Sequence, residues 1–377
     1  MYTTKPLSAF ANHPEAASRL PPAAEGGCSG YLAVKSDDEG ADETRCWGSC
    51  SDGTRVRGLP FPQNRVITVM DPGLGEYAGA YADAVVFVPV PGVPLSSNRY
   101  YAVLTAGKRQ GHVRACSRED DVVTRCFCRC VRDAKPRPFD PADVYQQMEI
   151  VPHKDGFTAR SVAADGLPYF LYRSKCWLAY ASKPKHFDLG EALGLNDPLR
   201  SRSLLHGHAA LTTPPAAAAV AVGRWYTPFF FVREDGVPLK TQMDRATFYE
   251  IVLEQRWEAM GGAAPEVSKR VLVGGRVEGK LEDAVAASAR PGGDGYEWFS
   301  AATWPAGQRV GVHASLWEKM VWEEQKGGWV ADEEEDGVRK TMAGAGGRSV
   351  LVERFAVKRM DGSVVVAFDF FHVNKIN

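Results

Sequence analysis

Cysteines are the residues in this chain with the most chemistry to offer. Cys126, Cys128 and Cys130 alternate in RCFCRC, so on a strand their three side chains share one face. Cys46 and Cys50 add a C-x3-C pair in CWGSC. A zinc site needs four such ligands at about 2.3 Å, usually supplied by two pairs close in sequence. Against zinc, alternate residues on a strand lie about 7 Å apart, and C-x-C is not the usual C-x2-C knuckle. The plainer reading is small buried thiols packing as hydrophobes. The same segment is basic, with Arg125, Arg129, Arg132, Lys135 and Arg137. Of these, Arg125, Arg129 and Arg132 are candidates for binding an anion or a partner. Acylated cysteines beside them would give the two signals needed to hold a chain at an anionic membrane surface. The ordinary alternative is a strand with outward basic side chains.

Other constellations are weaker. Gly73, Gly75 and Gly79 follow a strand, but the dinucleotide fingerprint needs its third glycine one residue earlier and a βαβ unit after it. A flexible turn is the simpler reading. His206 and His208 could chelate a metal at i, i+2 spacing, although a polar loop explains them as well. His372 reads as an edge or core histidine. G-x-S-x-G, H-E-x-x-H and P-loop motifs are absent. Cysteine Cys176 paired with a distant histidine is left open.

The elements that would position these groups are mostly strands. Short β segments cover Tyr31–Lys35, Val66–Val69, Val85–Val88, Tyr100–Leu104, His112–Cys116 and Val122–Val131, with almost no helical periodicity. A short helix around Glu191, Ala192 and Leu193 follows, then strands at 220–222 and 229–232. Placed at 100° intervals, Phe248, Tyr249, Val252, Leu253 and Trp257 of Lys240–Met260 share one broad face, with Glu250, Glu254 and Glu258 opposite. That predicts a helix over 240–260 packed on a sheet. Its Arg256 would then snorkel, find an acid, or bind an anion. A second helix is expected at 315–325, between strands at 270–277, 296–299 and 309–313 and a closing hairpin. There, Asp361–Gly362 between β-branched and aromatic runs signals a type I′ turn.

GCSGYLAV, LPFPQN, PLSSNRYY, RCFCRCVRDAKPRPFDPADVYQQMEIVP, FYEIVLEQRWEAM and VLVERFAVKRMDGSVVVAFDF together resemble the plant family DUF1262. The resemblance runs nearly the whole chain in order. It implies a plant origin, one continuous unit and a loose association with stress and defence, and it carries over no catalytic residue.

Length and composition set the outer bounds. At 377 residues the chain is long enough for two lobes, expected at 1–150 (β-rich) and 151–377 (α+β). Hydrophobic content of 45% with 24% charged residues excludes wholesale disorder. A formal charge of -1 argues against whole-chain attraction to nucleic acid. No apolar run approaches the ~18–20 residues of a membrane span, and MYTTKPLSAF has no signal-like core. Eight cysteines without a signal point to reduced thiols or metal ligands. The expectation is a cytoplasmic or nuclear α+β protein of mainly antiparallel sheet, its two main helices at 240–260 and 315–325 in the C-terminal half. It would carry no cofactor other than the zinc considered above, and it would act by binding protein partners in a stress or defence setting. Aromatic residues such as Trp225, Tyr226, Trp317, Trp322 and Trp329 are the candidate contacts. Two alternatives stand beside it: an enzyme or small-molecule binder with a site between the lobes, and peripheral membrane attachment through residues 125–137.

Overall fold

The structure, a computed structural model, describes residues 1–19, 30–34, 54–70, 82–125, 128–168, 176–184, 186–206, 219–259, 269–274, 281–284, 293–300, 309–326 and 349–376. Antiparallel sheet dominates. The described helices are α1 (Leu7–Asn12), α2 (Pro14–Ser18), α3 (Asp197–His206), α4 (Leu239–Arg245) and α5 (Ala314–Lys326). Helix therefore begins at residue 7 and is not confined to the C-terminal half. The chain divides into two compact units. Tyr2–Glu191 forms one together with Val237–Thr247; Ala192–Gly236 and Phe248–Asn377 form the other, with Met1.

The N-terminal unit holds β1 (Tyr2–Pro6), paired in parallel with β2 (Gly30–Val34), and a seven-stranded sheet. That sheet uses β3 (Thr54–Val56), β4 (Val66–Met70), β5 (Ala82–Pro89), β6 (Arg99–Leu104), β9 (Gln147–His153), β10 (Gly156–Ser161) and β11 (Leu178–Ser182) in the order β10-β9-β6-β5-β4-β11-β3. Between β6 and β9, β7 (Val122–Arg125) and β8 (Cys128–Val131) form a separate ribbon. The core is aromatic: Phe61, Phe87, Tyr100, Phe157 and Trp177 meet at centroid separations of 4.9–6.5 Å. Each such buried ring contributes about 1.5–3 kcal/mol through its area alone. Tyr100 Oη accepts from Phe61 N at 3.1 Å, which anchors the LPFPQN turn to β6. Phe10 of α1 packs on the same cluster. His112–Cys116 is not a strand; Val113 makes isolated bridges to Val103 and Arg137.

The C-terminal unit is built on β13 (Val220–Pro228), β15 (Phe248–Ala259), β16 (Lys269–Gly274), β17 (Leu281–Ala284), β20 (Ser349–Lys358) and β21 (Val364–Ile376). Their order is β17-β16-β21-β20-β15-β13, with β12 (Gly194–Leu195) on β13. A small sheet of β14 (Val232–Glu234), β19 (Arg309–His313) and β18 (Tyr296–Ser300) stands apart. On the large sheet, Trp317 of α5 packs on Phe368 and Phe370, and Phe299 joins them.

The largest departure from sequence expectation falls on 240–260. Helix stops at Arg245, and 248–259 is β15, the strand with β13 on one side and β20 on the other. Acids spaced four apart satisfy a helix row, but four is also a multiple of the strand period, so Glu250, Glu254 and Glu258 fit both. Phe248, Tyr249, Ile251, Val252 and Leu253, interrupted only by Glu250, are at most 2% exposed, as in a strand covered on both faces. The helix expected at 315–325 is present as α5. Glu191, Ala192 and Leu193 are not helical. Helix α3 starts after Asn196, whose Oδ1 accepts from Leu199 N at 3.0 Å, an N-cap in sequence before Asp197 and Pro198. Phe229–Phe231 form a 3₁₀ turn instead of a strand. The final hairpin stands, but its turn is not type I′. Gly362 N donates to Arg359 O at 2.9 Å, and only Gly362 takes a positive φ, of 83°.

Candidate functional site

Of the thiols expected to carry chemistry, Cys46, Cys50 and Cys126 lie outside the described residues, as do Gly73, Gly75, Gly79 and His208. Cys128 and Cys130 lie on β8, in register with Arg125 and Val123 of β7, and Arg129 is in register with Thr124. Arg132 follows β8 and is exposed. Upstream, Cys116 is 1% exposed, and burial pushes its thiol up to about 11, the value of an unreactive core cysteine. Cys176 Sγ donates to the His153 carbonyl at 3.2 Å. Among the described residues no three His, Cys, Asp or Glu side chains are placed to share a metal ion. Nor is any described helix long and apolar enough to cross a membrane, which leaves strands unaddressed.

Arg256 falls in the densest charged cluster described. Glu254, Arg354, Asp369 and Arg270 sit in register across β15, β20, β21 and β16, a row of alternating sign on one sheet face. Asp369 is fully buried. Its Oδ2 accepts from Arg256 Nη2 at 2.8 Å, Arg270 Nη2 at 2.8 Å and Arg354 Nη2 at 2.9 Å, and its Oδ1 accepts from Arg354 Nε at 2.6 Å. Burial alone would raise this carboxyl; hydrogen bonds from Arg354 and Arg256 outweigh it and hold the group down at about 2. Glu258, about a third exposed, bridges Arg256 Nη2 at 3.0 Å and Arg270 Nη2 at 3.1 Å. Beneath the charges lie Val350, Val352 and Phe371 on one side of the row and Leu272, Ala356 and Ala367 on the other. The arginine stems roof this apolar floor, while Trp317 places α5 on the opposite face.

Two further buried ion pairs are structural. Arg200 of α3 donates from Nε to Glu353 Oε1 at 2.7 Å, Gln255 Nε2 donates to the same oxygen at 2.7 Å, and His372 Nε2 lies 3.2 Å from Oε2. Burial works to raise Glu353, but His372 and Arg200 keep it at about 2. Glu234 accepts from Arg359 Nη2 at 2.6 Å and from Tyr249 Oη at 2.7 Å. His313 Nδ1 accepts from Ser315 N at 3.3 Å and faces Ser315 Oγ at 2.6 Å, a cap at the start of α5, with burial lowering the imidazole pKa.

The aromatic candidates divide. Trp225 and Tyr226 are each 5% exposed and belong to the core, Trp317 and Trp322 are half-buried, and Trp329 lies outside the described residues.

Sequence reasoning missed one concave site, in the N-terminal unit. Leu7 and Phe10 of α1, Arg55 and Val56 of β3, and Leu59 and Pro60 of the next turn line a cleft of about 290 Å³. Strand β3 ends the sheet order, beside β11. Arg55 Nη2 donates to the Asp155 carbonyl at 2.5 Å, and its buried Nε has no hydrogen-bond partner among the described residues. The only sequence signal was the proline-punctuated LPFPQN beside a three-residue strand.

No curated protein matches the chain. One solved structure, described as the crystal structure of Cry35Ab1, aligns over 84% of this chain and 90% of its own, with 10% identity and a TM-score of 0.41. At that score the likeness carries no argument. Residues 25–127 match the family model DUF1262, a protein of unknown function, and the family resemblance of the sequence is borne out over that stretch.

Proposed function

We propose that the protein works by binding a partner polypeptide, with an extended segment along the β3 edge and one apolar side chain seated in the adjoining cleft. The observation that supports this is the cleft itself, apolar and set against the last strand of its sheet order. Edge strands recruit extended segments through their unpaired backbone groups, and neighbouring pockets choose the side chain. A volume of about 290 Å³ lies at the lower limit for small-molecule sites and suits a single large side chain better than a cofactor. The stress or defence setting is proposed from the family resemblance alone.

Peptides selected on the full chain from a displayed library test the reading, with Ala181→Trp filling the cleft from β11. Selected peptides should share one apolar anchor and bind the A181W chain at least tenfold more weakly. Equal binding to the A181W chain, with its circular dichroism unchanged, would rule the cleft out.

A further inference from the structure

We propose that Arg256 and Arg270 form a fork for the carboxylate of an acidic partner, and that Glu258 occupies the fork as an internal competitor.

Three guanidinium groups converge here and together carry about fifteen N–H donors. Asp369 and Glu258 take nine contacts from them. Both carboxylates counted, the cluster keeps an excess positive charge of one, since Glu254 is held by Lys358 at 3.1 Å. The two acids differ in kind. Asp369 is fully buried and bound by all three arginines, so it fixes their positions. Glu258 is about a third exposed and sits on the solvent side of Arg256 and Arg270, which are 17% and 34% exposed. Its two oxygens meet Arg270 Nη1 at 3.3 Å and Nη2 at 3.1 Å, the paired geometry in which a guanidinium receives a planar carboxylate.

The floor favours an incoming anion. Phe371 lies under Arg270, with the guanidinium carbon 5.2 Å from the ring centroid, and Val350 and Val352 are buried beside it. Stacking on an aromatic face fixes the guanidinium plane, and apolar neighbours lower the local dielectric, which strengthens each bond to an anion. A carboxylate brought by another chain would accept the same donors, and Glu258 would swing into water. Tethered to β15, Glu258 competes at an effective concentration in the millimolar range. Free ligand must exceed that, so removing the Glu258 charge should strengthen binding.

Anisotropy of a fluorescein-labelled hexaglutamate peptide, titrated with the full chain at low ionic strength, reads this out. Glu258→Gln should bind at least tenfold more tightly than the wild type. Arg270→Lys, which keeps the charge but loses the fork, should bind at least tenfold more weakly than the wild type. Glu318→Gln, an equal change of charge at an exposed position of α5, should leave affinity unchanged. The proposal is overturned if E258Q binds like the wild type, if E318Q gains as much as E258Q, or if R270K binds as well as the unaltered chain. Inorganic phosphate displacing the peptide from E258Q at a lower concentration than free glutarate would overturn the assignment to a carboxylate.

Discussion

Replacing Asp369 by Asn tests the account of the C-terminal sheet most directly. Asp369 has no solvent exposure and accepts from three arginines on three other strands. Asn keeps the shape but loses the charge, leaving three partly buried guanidinium groups to repel one another across the sheet. Breaking a fully buried ion pair on one side costs about 3–5 kcal/mol. Exposures of 17–34% at the arginines let water recover part of that, so a loss of about 3 kcal/mol at pH 7 is expected. Moving a carboxyl from 3.8 to about 2 corresponds to about 2.5 kcal/mol of linked stability, in line with that figure. Because the folded value is the lower one, this stability is present above about pH 4 and is lost as the pH falls toward 2. Urea denaturation at pH 7, 5, 4, 3 and 2.5 gives the comparison. Wild type and D369N should differ by about 3 kcal/mol at pH 7, and the gap should narrow steadily below pH 4. A difference under 1 kcal/mol at pH 7, or a gap that stays constant down to pH 2.5, would refute the reasoning.

Two further substitutions probe the packing. Gly156→Ala places a Cβ 2.2 Å from the Trp177 carbonyl oxygen, where β10 meets the bridge to Trp177. Backbone must shift, so a loss of at least about 1–3 kcal/mol is expected by thermal or urea melting. Tyr249→Phe removes the phenol donor to Glu234 Oε1 while Arg359 still pairs with that acid; about 1–2 kcal/mol should be lost, with no change in circular dichroism.

The closing hairpin was legible because β-branched and aromatic runs on either side of Asp361–Gly362 leave no competing periodicity. What the dipeptide could not set was the turn type. Arg359 bonds back to Ser363 and Gly362 alone takes the left-handed region, so one more residue enters the loop. Helix α5 was legible from its apolar spacing. Strand β15 was not, because its acids repeat at a spacing shared by helix and strand, and its partner strand β20 lies about 100 residues further along the chain. The Asp369 cluster shows the same limit. Arg256 stood out as a charge in apolar surroundings, but Arg270, Arg354 and Asp369 became its neighbours only through the register of four strands. The cleft of the N-terminal unit was illegible for a simpler reason: α1 and β3, which line it, are too short to carry a periodic signal.

The strand order β17-β16-β21-β20-β15-β13 bears on how the chain is made. Within this unit β13, β15, β16 and β17 leave the ribosome before β20 and β21, the two strands that lie between β15 and β16 in the sheet. Until then, the Ile251 and Leu253 side of β15 and the Val271 and Val273 side of β16 are open to any passing strand. A chain truncated before Ser349, which lacks β20 and β21, should therefore aggregate where the full chain does not.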